Sequence, residues 1–372
     1  MTNLRILQLI TKPNHQNRIA MRVKMFLTVV IAAIFLSSCD SKIEKVFDDQ
    51  HAPQAAFDSL ITYMERSGDF INSDNVPAMI SAPELYGQLN GSTLVIDMRN
   101  PNEFAAAHIP YSVNVPFTQI LNYFERTIDP SSFKTIALVC NAGQTASYAT
   151  SILRFLGYNN VFALKWGFSS WHKETAEARW IPRRSSKFAE TLEKKSNLKN
   201  PGGDFPAIET SESYGYTILR ERAHKLFADD FNPITISADT LFEAGQNFYI
   251  ANYWPEPLYN IGHIPGAIQY QPKKSLKRNE QLYTLPIDKP VVIYCFTGQH
   301  SSFVVAYLRL LGYDARTLTY GANGFMHSIM LKHGISNAFT EKEIFDFPVS
   351  SGSVSSQPLE KVDVVAVPRG GC

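Results

Sequence analysis

Two cysteines occupy equivalent places in this sequence. Cys140 and Cys295 each follow an apolar run of four residues, and a glycine, Gly143 or Gly298, comes three residues later. The carboxyl end of a buried parallel strand is where α/β sheets bind ligands. Backbone N–H groups of a tight loop, together with the N-terminus of a following helix, stabilise a thiolate and lower the pKa of the thiol. We therefore expect two nucleophilic cysteines of lowered pKa, in loops that the glycines allow to curl.

The sequence around the two cysteines is an internal repeat. His108–Pro110 recurs as His263–Pro265, and Leu156–Tyr158 recurs as Leu311–Tyr313, with the same shift of 155 residues that separates the cysteines. A constant shift across about 50 residues indicates a tandem duplication.

Each copy alternates predicted strands and helices. In the first copy we predict strands at 93–96, 136–139 and 161–164, a helix capped by Ser81, and a helix over 146–156 that ends at Gly157. In the second copy we predict a helix that begins at Ser237, a strand at 291–294 and a helix over 301–311. Strands that alternate with helices form parallel sheets. We predict an α/β fold of two domains, each a parallel sheet with helices on both faces.

The motifs in both copies resemble the rhodanese family of sulfurtransferases. In the first copy they are Asp97-x-Arg99, Glu103, His108–Pro110, Asn114-x-Pro116, Cys140–Ala146, Leu156–Tyr158 and Gly167-x-x-x-Trp171. In the second copy they are His263–Ala267, Cys295–Ser301 and Leu311–Tyr313. The resemblance covers residues 76–180 and 233–335, so it implies two tandem rhodanese-like domains.

The resemblance implies a persulfide mechanism without cofactor or metal. Cys140 and Cys295 would take sulfane sulfur from thiosulfate, polysulfide or a similar donor and pass it to cyanide or a thiol, on a small molecule or a protein. Asp97 and Arg99 would support the first loop. The persulfide would be bound by the residues that follow each cysteine: Asn141, Ala142, Gly143, Gln144, Thr145 and Ala146, and Phe296, Thr297, Gly298, Gln299, His300 and Ser301.

The two loops depart from the family pattern. Neither loop contains the Arg or Lys that helps such loops bind anions, and His300 is their only ionisable residue after the cysteines. Asn252, Trp254 and Leu258 replace the three charged residues of the first copy. Two functions therefore stay open: a sulfurtransferase, and a non-catalytic binding or sulfur-sensing module. A phosphatase is disfavoured because its cysteine loop needs an arginine for bidentate phosphate binding.

The N-terminal residues are typical of an export signal. Arg18, Arg22 and Lys24 precede the apolar segment Met25–Leu36, which is shorter than the roughly 20 residues that span a bilayer. Leu36–Cys39 resembles the lipobox of bacterial lipoproteins, which implies acylation of Cys39. We expect a lipid anchor in the cell envelope that faces the periplasm, and the sequence leaves open whether the inner or outer membrane holds it.

These features divide the 372 residues into six predicted segments. The net charge of +1 gives no indication of nucleic-acid binding. Cys372 is interpreted either as an incidental thiol or as a sulfur-accepting thiol on a mobile arm. The segments are a signal peptide (1–38), a tether and N-terminal segment (39–75), the first domain (76–180), a linker (181–232), the second domain (233–335) and a C-terminal tail (336–372).

Overall fold

The computed structural model describes residues 53–89 and 91–353. The predicted signal peptide, the predicted acylation site Cys39, and Cys372 lie outside the described residues. Across the described ranges, no helix combines the length and the apolar character that crossing a bilayer requires.

The first half of the described chain forms one five-stranded sheet. Its strand order is β1-β5-β4-β2-β3, and every neighbouring pair is parallel. The strands are β1 (Met79–Ile80), β2 (Thr93–Asp97), β3 (Val113–Asn114), β4 (Thr135–Val139) and β5 (Val161–Leu164). The helices are α1 (Pro53–Arg66), α2 (Ala82–Gly87), α3 (Pro101–Ala106), α4 (Ile120–Arg126), α5 (Gln144–Phe155), α6 (Phe168–Trp171) and α7 (Lys173–Ala178).

The second half repeats this sheet. Its order is β6-β10-β9-β7-β8, again parallel throughout. The strands are β6 (Thr235–Ile236), β7 (Tyr249–Asn252), β8 (Ile268–Gln269), β9 (Val291–Tyr294) and β10 (Ala315–Leu318). The helices are α8 (Gly215–Ala228), α9 (Ala238–Ala244), α10 (Glu256–Tyr259), α11 (Gln299–Leu310) and α12 (His327–Lys332). The predicted α/β fold of two parallel sheets is confirmed.

Local sequence explains why these elements begin where they do. The Ser81 hydroxyl accepts the Glu84 N–H at 3.3 Å, and Ser237 accepts the Thr240 N–H at 3.1 Å, so both predicted N-caps are present. Strand β4 is buried at every position, as a central parallel strand is. The strand therefore carries Cys140 to the carboxyl edge of the sheet.

The two sheets share one hydrophobic core. Helices α5 and α11 pack against each other, with the Ser151 hydroxyl donating to the Phe303 carbonyl at 2.8 Å and the Phe155 and Tyr307 rings stacked. Apolar residues of α1 and α8 contribute to the same core. The helices that follow the two cysteines therefore form the contact between the domains.

Residues 337–350 differ from the patternless tail expected from sequence. Phe339 is buried in an aromatic cluster, and Phe347 stacks on Tyr86 of α2. Ser350 exchanges two backbone hydrogen bonds with His108, each 2.9 Å long. This segment follows the second domain and returns to cover the first.

Candidate active site

Cys140 directly follows β4, and its side chain lies beside the N-terminus of α5. Its Sγ accepts backbone N–H groups from Gly143 at 3.1 Å and Ala146 at 3.4 Å. Gly143 has φ +90°, so the predicted curl of the backbone is confirmed, and the same holds for Gly298 at φ +77°. Gly167 packs closely against this loop, because a Cβ there would overlap backbone atoms of Cys140 and Gly143.

The pKa of Cys140 moves opposite to our expectation. Burial raises the pKa of the thiol, and the backbone N–H groups of Ala146, Gly143, Ala142 and Thr145 oppose that rise without reversing it. Desolvation disfavours the thiolate more than the loop amides favour it. The sequence indicated the loop amides but did not show that Cys140 would be only 8% exposed.

Cys295 repeats this geometry with fewer amides and more hydroxyls. Its Sγ accepts the Ser301 N–H at 3.3 Å, and the Ser301 and Thr297 hydroxyls lie 3.6 and 3.9 Å from the sulfur. The side chain is 2% exposed. Both thiols are free.

The predicted persulfide-binding residues do not all face the sulfurs. Asn141 donates its side-chain amide to Glu103 at 2.9 Å, and Phe296 stacks on Trp254 with ring centroids 4.5 Å apart. Every residue of 296–301 is buried, whereas Asn141, Ala142 and Thr145 in the first loop are partly exposed. The residues of the first loop are therefore more exposed to solvent than those of the second.

Gln144 and Gln299 each reach into the opposite domain. The Gln299 Oε1 accepts the Trp166 N–H at 2.8 Å, and the Gln144 Oε1 accepts the Tyr320 N–H at 3.0 Å. A Cβ at Gly143 would overlap the Gln299 amide, and a Cβ at Gly298 would overlap the Gln144 amide. The prediction that these glutamines bind the persulfide is therefore incomplete: their side chains join the two cysteine loops.

Asp97 and Arg99 form a buried ion pair behind the first loop. The Arg99 guanidinium bonds both Asp97 carboxylate oxygens, at 2.6 to 3.1 Å, and also the Ala107 carbonyl. It lies over the Phe168 ring at 3.7 Å. In the second domain the Asn252 amide oxygen accepts the Trp254 N–H at 3.2 Å, as Asp97 accepts that of Arg99 at 2.9 Å. Phe168 in turn donates its backbone N–H to the Cys140 carbonyl at 2.8 Å, and the supporting role of Asp97 and Arg99 stays a prediction.

The family comparison matches this architecture twice. The model of the rhodanese-like domain matches residues 81–174 and again residues 246–328. The chain contains two rhodanese-like domains. The matched residues include Cys140 in the first domain and Cys295 in the second.

Curated relatives of these rhodanese-like domains are partial matches. A tRNA uridine(34) hydroxylase of Buchnera aphidicola is 28% identical over 103 residues, which are 27% of this chain and 33% of the relative. An adenylyltransferase and sulfurtransferase of Meyerozyma guilliermondii is 28% identical over 133 residues, 33% of this chain and 31% of the relative. The chain spans about a third of the length of these relatives.

Solved structures with rhodanese-like folds are also similar. A thiosulfate sulfurtransferase of Pseudomonas aeruginosa is 16% identical, with coverage of 81% of this chain and 70% of that one and a TM-score of 0.24. A rhodanese-related protein of Thermoplasma volcanium is 28% identical, with coverage of 26% and 91% and a TM-score of 0.23.

Two arginines that the sequence did not indicate, Arg179 and Arg183, lie near the Cys140 loop of the first rhodanese-like domain. Arg179 donates to Glu103 at 2.7 Å, and Glu103 in turn holds Asn141 beside Cys140. The pKa of Tyr320 is raised by burial, lowered by the charges of Arg183 and Arg179, and raised by Cys140. These four residues therefore lie close together. The arginines follow α7 rather than the cysteine, so a search of the loop itself could not find them.

The two histidines of the His-Ile-Pro motifs are structural. His108 Nδ1 bonds the Phe104 carbonyl at 2.8 Å, and its ring stacks on the Phe104 ring. His263 makes the equivalent bond and stack with Tyr259. Among the residues that the structure describes, no group of three His, Cys, Asp or Glu side chains has an arrangement that could hold a metal ion.

Proposed function

We propose that the chain is a sulfurtransferase that carries sulfane sulfur as a persulfide on Cys140. The observation that carries this proposal is the pair of N–H bonds from Gly143 and Ala146 to Cys140 Sγ. The same N–H groups stabilise negative charge on a sulfur at this position, and the helix N-terminus of α5 adds partial positive charge. The partly exposed residues 141 and 142 leave a path for donor and acceptor.

The reaction has two balanced steps. The Cys140 thiolate attacks the outer sulfur of the donor, so a new S–S bond forms as the donor's bond to that sulfur breaks and its electron pair leaves with the donor residue. An acceptor thiolate or cyanide then attacks the outer persulfide sulfur, and the Cys140 thiolate leaves. Because burial raises the pKa of Cys140, the reactive anion is a minor species at neutral pH.

The loop itself lacks a cation, but Arg183 and the Arg179 that pairs with Glu103 lie close to it. Both are exposed and lie near Tyr320 and the Cys140 loop. An anionic donor such as thiosulfate would meet these cations first. Their position supports anionic donors at the first domain.

Mass spectrometry of the full chain tests the proposal. After incubation with thiosulfate or polysulfide, we expect the Cys140 peptide to gain one sulfur that a reductant removes, in wild type and in Cys295→Ser. Cys140→Ser is the matched control and should lose this adduct. If no sulfane donor modifies Cys140 in a folded chain, the proposal fails.

A non-catalytic binding or sulfur-sensing module is the second candidate. The observation that favours it is the burial of both cysteines: Cys140 is 8% exposed and Cys295 is 2% exposed. In that case the same experiment should give either no adduct or an adduct that no thiol acceptor removes at a catalytic rate.

We also propose attachment to the cell envelope, facing the periplasm, through lipid on Cys39. The support is the basic segment, the short apolar run and the lipobox-like residues before the cysteine. Metabolic labelling with a fatty acid should mark the full chain but not Cys39→Ala, and equal labelling of both would contradict it.

A further inference from the structure

Cys295 lines a small apolar cavity of about 220 Å³. Tyr253, Leu258, Phe296 and Ile335 form much of its wall. Among the described residues that line it, none is an Asp, Glu, Lys or Arg. A site of this kind binds apolar groups and selects against a charge, because a charge buried there would have no counterion.

His300 is a polar residue of this mostly apolar wall, together with Ser336 and Asn337, and one of its ring nitrogens is unpartnered. It is 1% exposed, and within the described residues its Nε2 has no hydrogen-bond partner. Burial, with a smaller effect of Lys273, lowers the pKa of His300 to about 3, so the imidazole is neutral at physiological pH. A buried polar atom without a partner is unfavourable, and a ligand that bonds it would recover that cost.

Lys273, whose charge acts on His300, is already engaged. Lys273 pairs with Asp74 at 3.7 Å, and its backbone N–H donates to the Tyr253 hydroxyl at 2.9 Å. Leu258 stands where the first domain has Glu103, which holds Asn141 and Arg179. The charged entrance of the first loop is therefore replaced by an apolar one.

We propose that the Cys295 cavity binds small uncharged sulfane-sulfur compounds, such as a protonated alkyl hydropersulfide, with His300 as their hydrogen-bond partner. This inference rests on the proposed function for its chemistry. Cys295 Sγ bonds to the outer sulfur of R–S–SH, the R–S to S bond breaks, and the thiol proton of Cys295 ends on the leaving R–S. One sulfur changes partner, so neither oxidant nor reductant is required.

Two alkylating reagents of nearly equal size test the selectivity for charge. Iodoacetamide is neutral and iodoacetate is anionic. Full-chain Cys140→Ser reports on Cys295, and full-chain Cys295→Ser reports on Cys140, with rates followed by peptide mass spectrometry. We expect the ratio of the amide rate to the acetate rate to be at least tenfold larger at Cys295 than at Cys140.

Substitutions in the wall sharpen the test. Leu258 is partly exposed, so Leu258→Lys can place a cation at the entrance, and we expect it to lower the ratio at Cys295 severalfold. Leu258→Met is the matched neutral control and should leave the ratio unchanged. His300→Phe keeps the burial and should slow the amide more than the acetate.

The outcomes separate this inference from the proposed function. Equal ratios at the two cysteines would overturn the inference, as would a Cys295 that reacts with neither reagent until the chain is unfolded. Alkylation itself needs no sulfur transfer. If the ratios are as expected but neither a short alkyl hydropersulfide nor thiosulfate adds sulfur to either cysteine, the cavity's selectivity stands and the sulfurtransferase proposal fails.

Discussion

The two cysteine loops have the same backbone and different surroundings. Both place sulfur beside a helix N-terminus, turn at a glycine of positive φ, and bond a serine hydroxyl of the helix to that glycine's carbonyl, from Ser147 at 2.8 Å and Ser302 at 2.7 Å. Behind the first sulfur lies a buried ion pair, and behind the second lies an aromatic stack. Duplicated loops can therefore keep one backbone geometry while the residues around them diverge.

The largest effect is expected when Asp97 of the first domain is replaced by asparagine, the residue that the second domain has at the equivalent position, Asn252. Asp97→Asn leaves the buried Arg99 guanidinium without its carboxylate. We expect a loss of about 3–5 kcal/mol in the free energy of unfolding, because an unpaired charge stays buried. Urea unfolding followed by circular dichroism measures it.

A double variant provides the control for that experiment. Asp97→Asn with Arg99→Met removes both charges, and we expect it to recover much of the lost stability. A loss from Asp97→Asn no larger than the roughly 1 kcal/mol of an exposed ion pair would mean that the pair is solvated.

The crossing glutamines provide an intermediate test. Gln299→Met keeps the side-chain volume but leaves the buried Trp166 N–H without an acceptor, so we expect a loss of about 1–3 kcal/mol. Gln144→Met is the matched variant in the other loop. It should cost less, because Tyr320 is only partly buried and water can reach it. Thermal unfolding ranks the two.

Reactivity gives a second readout of the same variants. Because the Gln299 amide lies against Gly143, Gln299→Met should change the alkylation rate of Cys140 in the other domain. An unchanged rate at Cys140, with stability lost, would show that the contact holds the domains without shaping the loop.

The smallest difference is expected between the pH dependence of Cys140 alkylation in the folded chain and that of an unfolded reference. A raised pKa means that the thiolate fraction is small at pH 7 and is still growing above the usual thiol pKa of about 8.5. In Cys295→Ser, the alkylation rate should rise about tenfold per pH unit from pH 7 to 8.5, in proportion to the thiolate. A peptide of the unfolded loop is the reference, and a plateau below pH 8 would contradict the raised pKa.

Sequence alone predicted the elements that hold the loops. The β-branched runs, the Ser81 and Ser237 caps and the glycines at 143 and 298 are local signals, and local geometry follows them. The predicted starts of α5 and α11 are two residues too late, because the sequence of the first helical turn is typical of a loop.

The sequence did not predict which distant segments of the chain contact each other. The approach of Arg179 to Glu103 depends on how the chain turns after α7, and the return of residues 337–350 to the first domain leaves no periodic pattern. The direction of the Cys140 pKa shift needs a balance between burial and N–H bonds, which only coordinates supply.

The exchange between Gln144 and Gln299 has the form of an isologous contact. The glutamine of each loop accepts a backbone N–H of the opposite domain, so the two contacts are equivalent. Two identical subunits meet across a two-fold axis in the same way. The duplicated chain thus holds a dimer interface inside one polypeptide. Its linker fixes the stoichiometry of that interface, and this allows the two halves to differ in their ligands while their mutual fit is preserved.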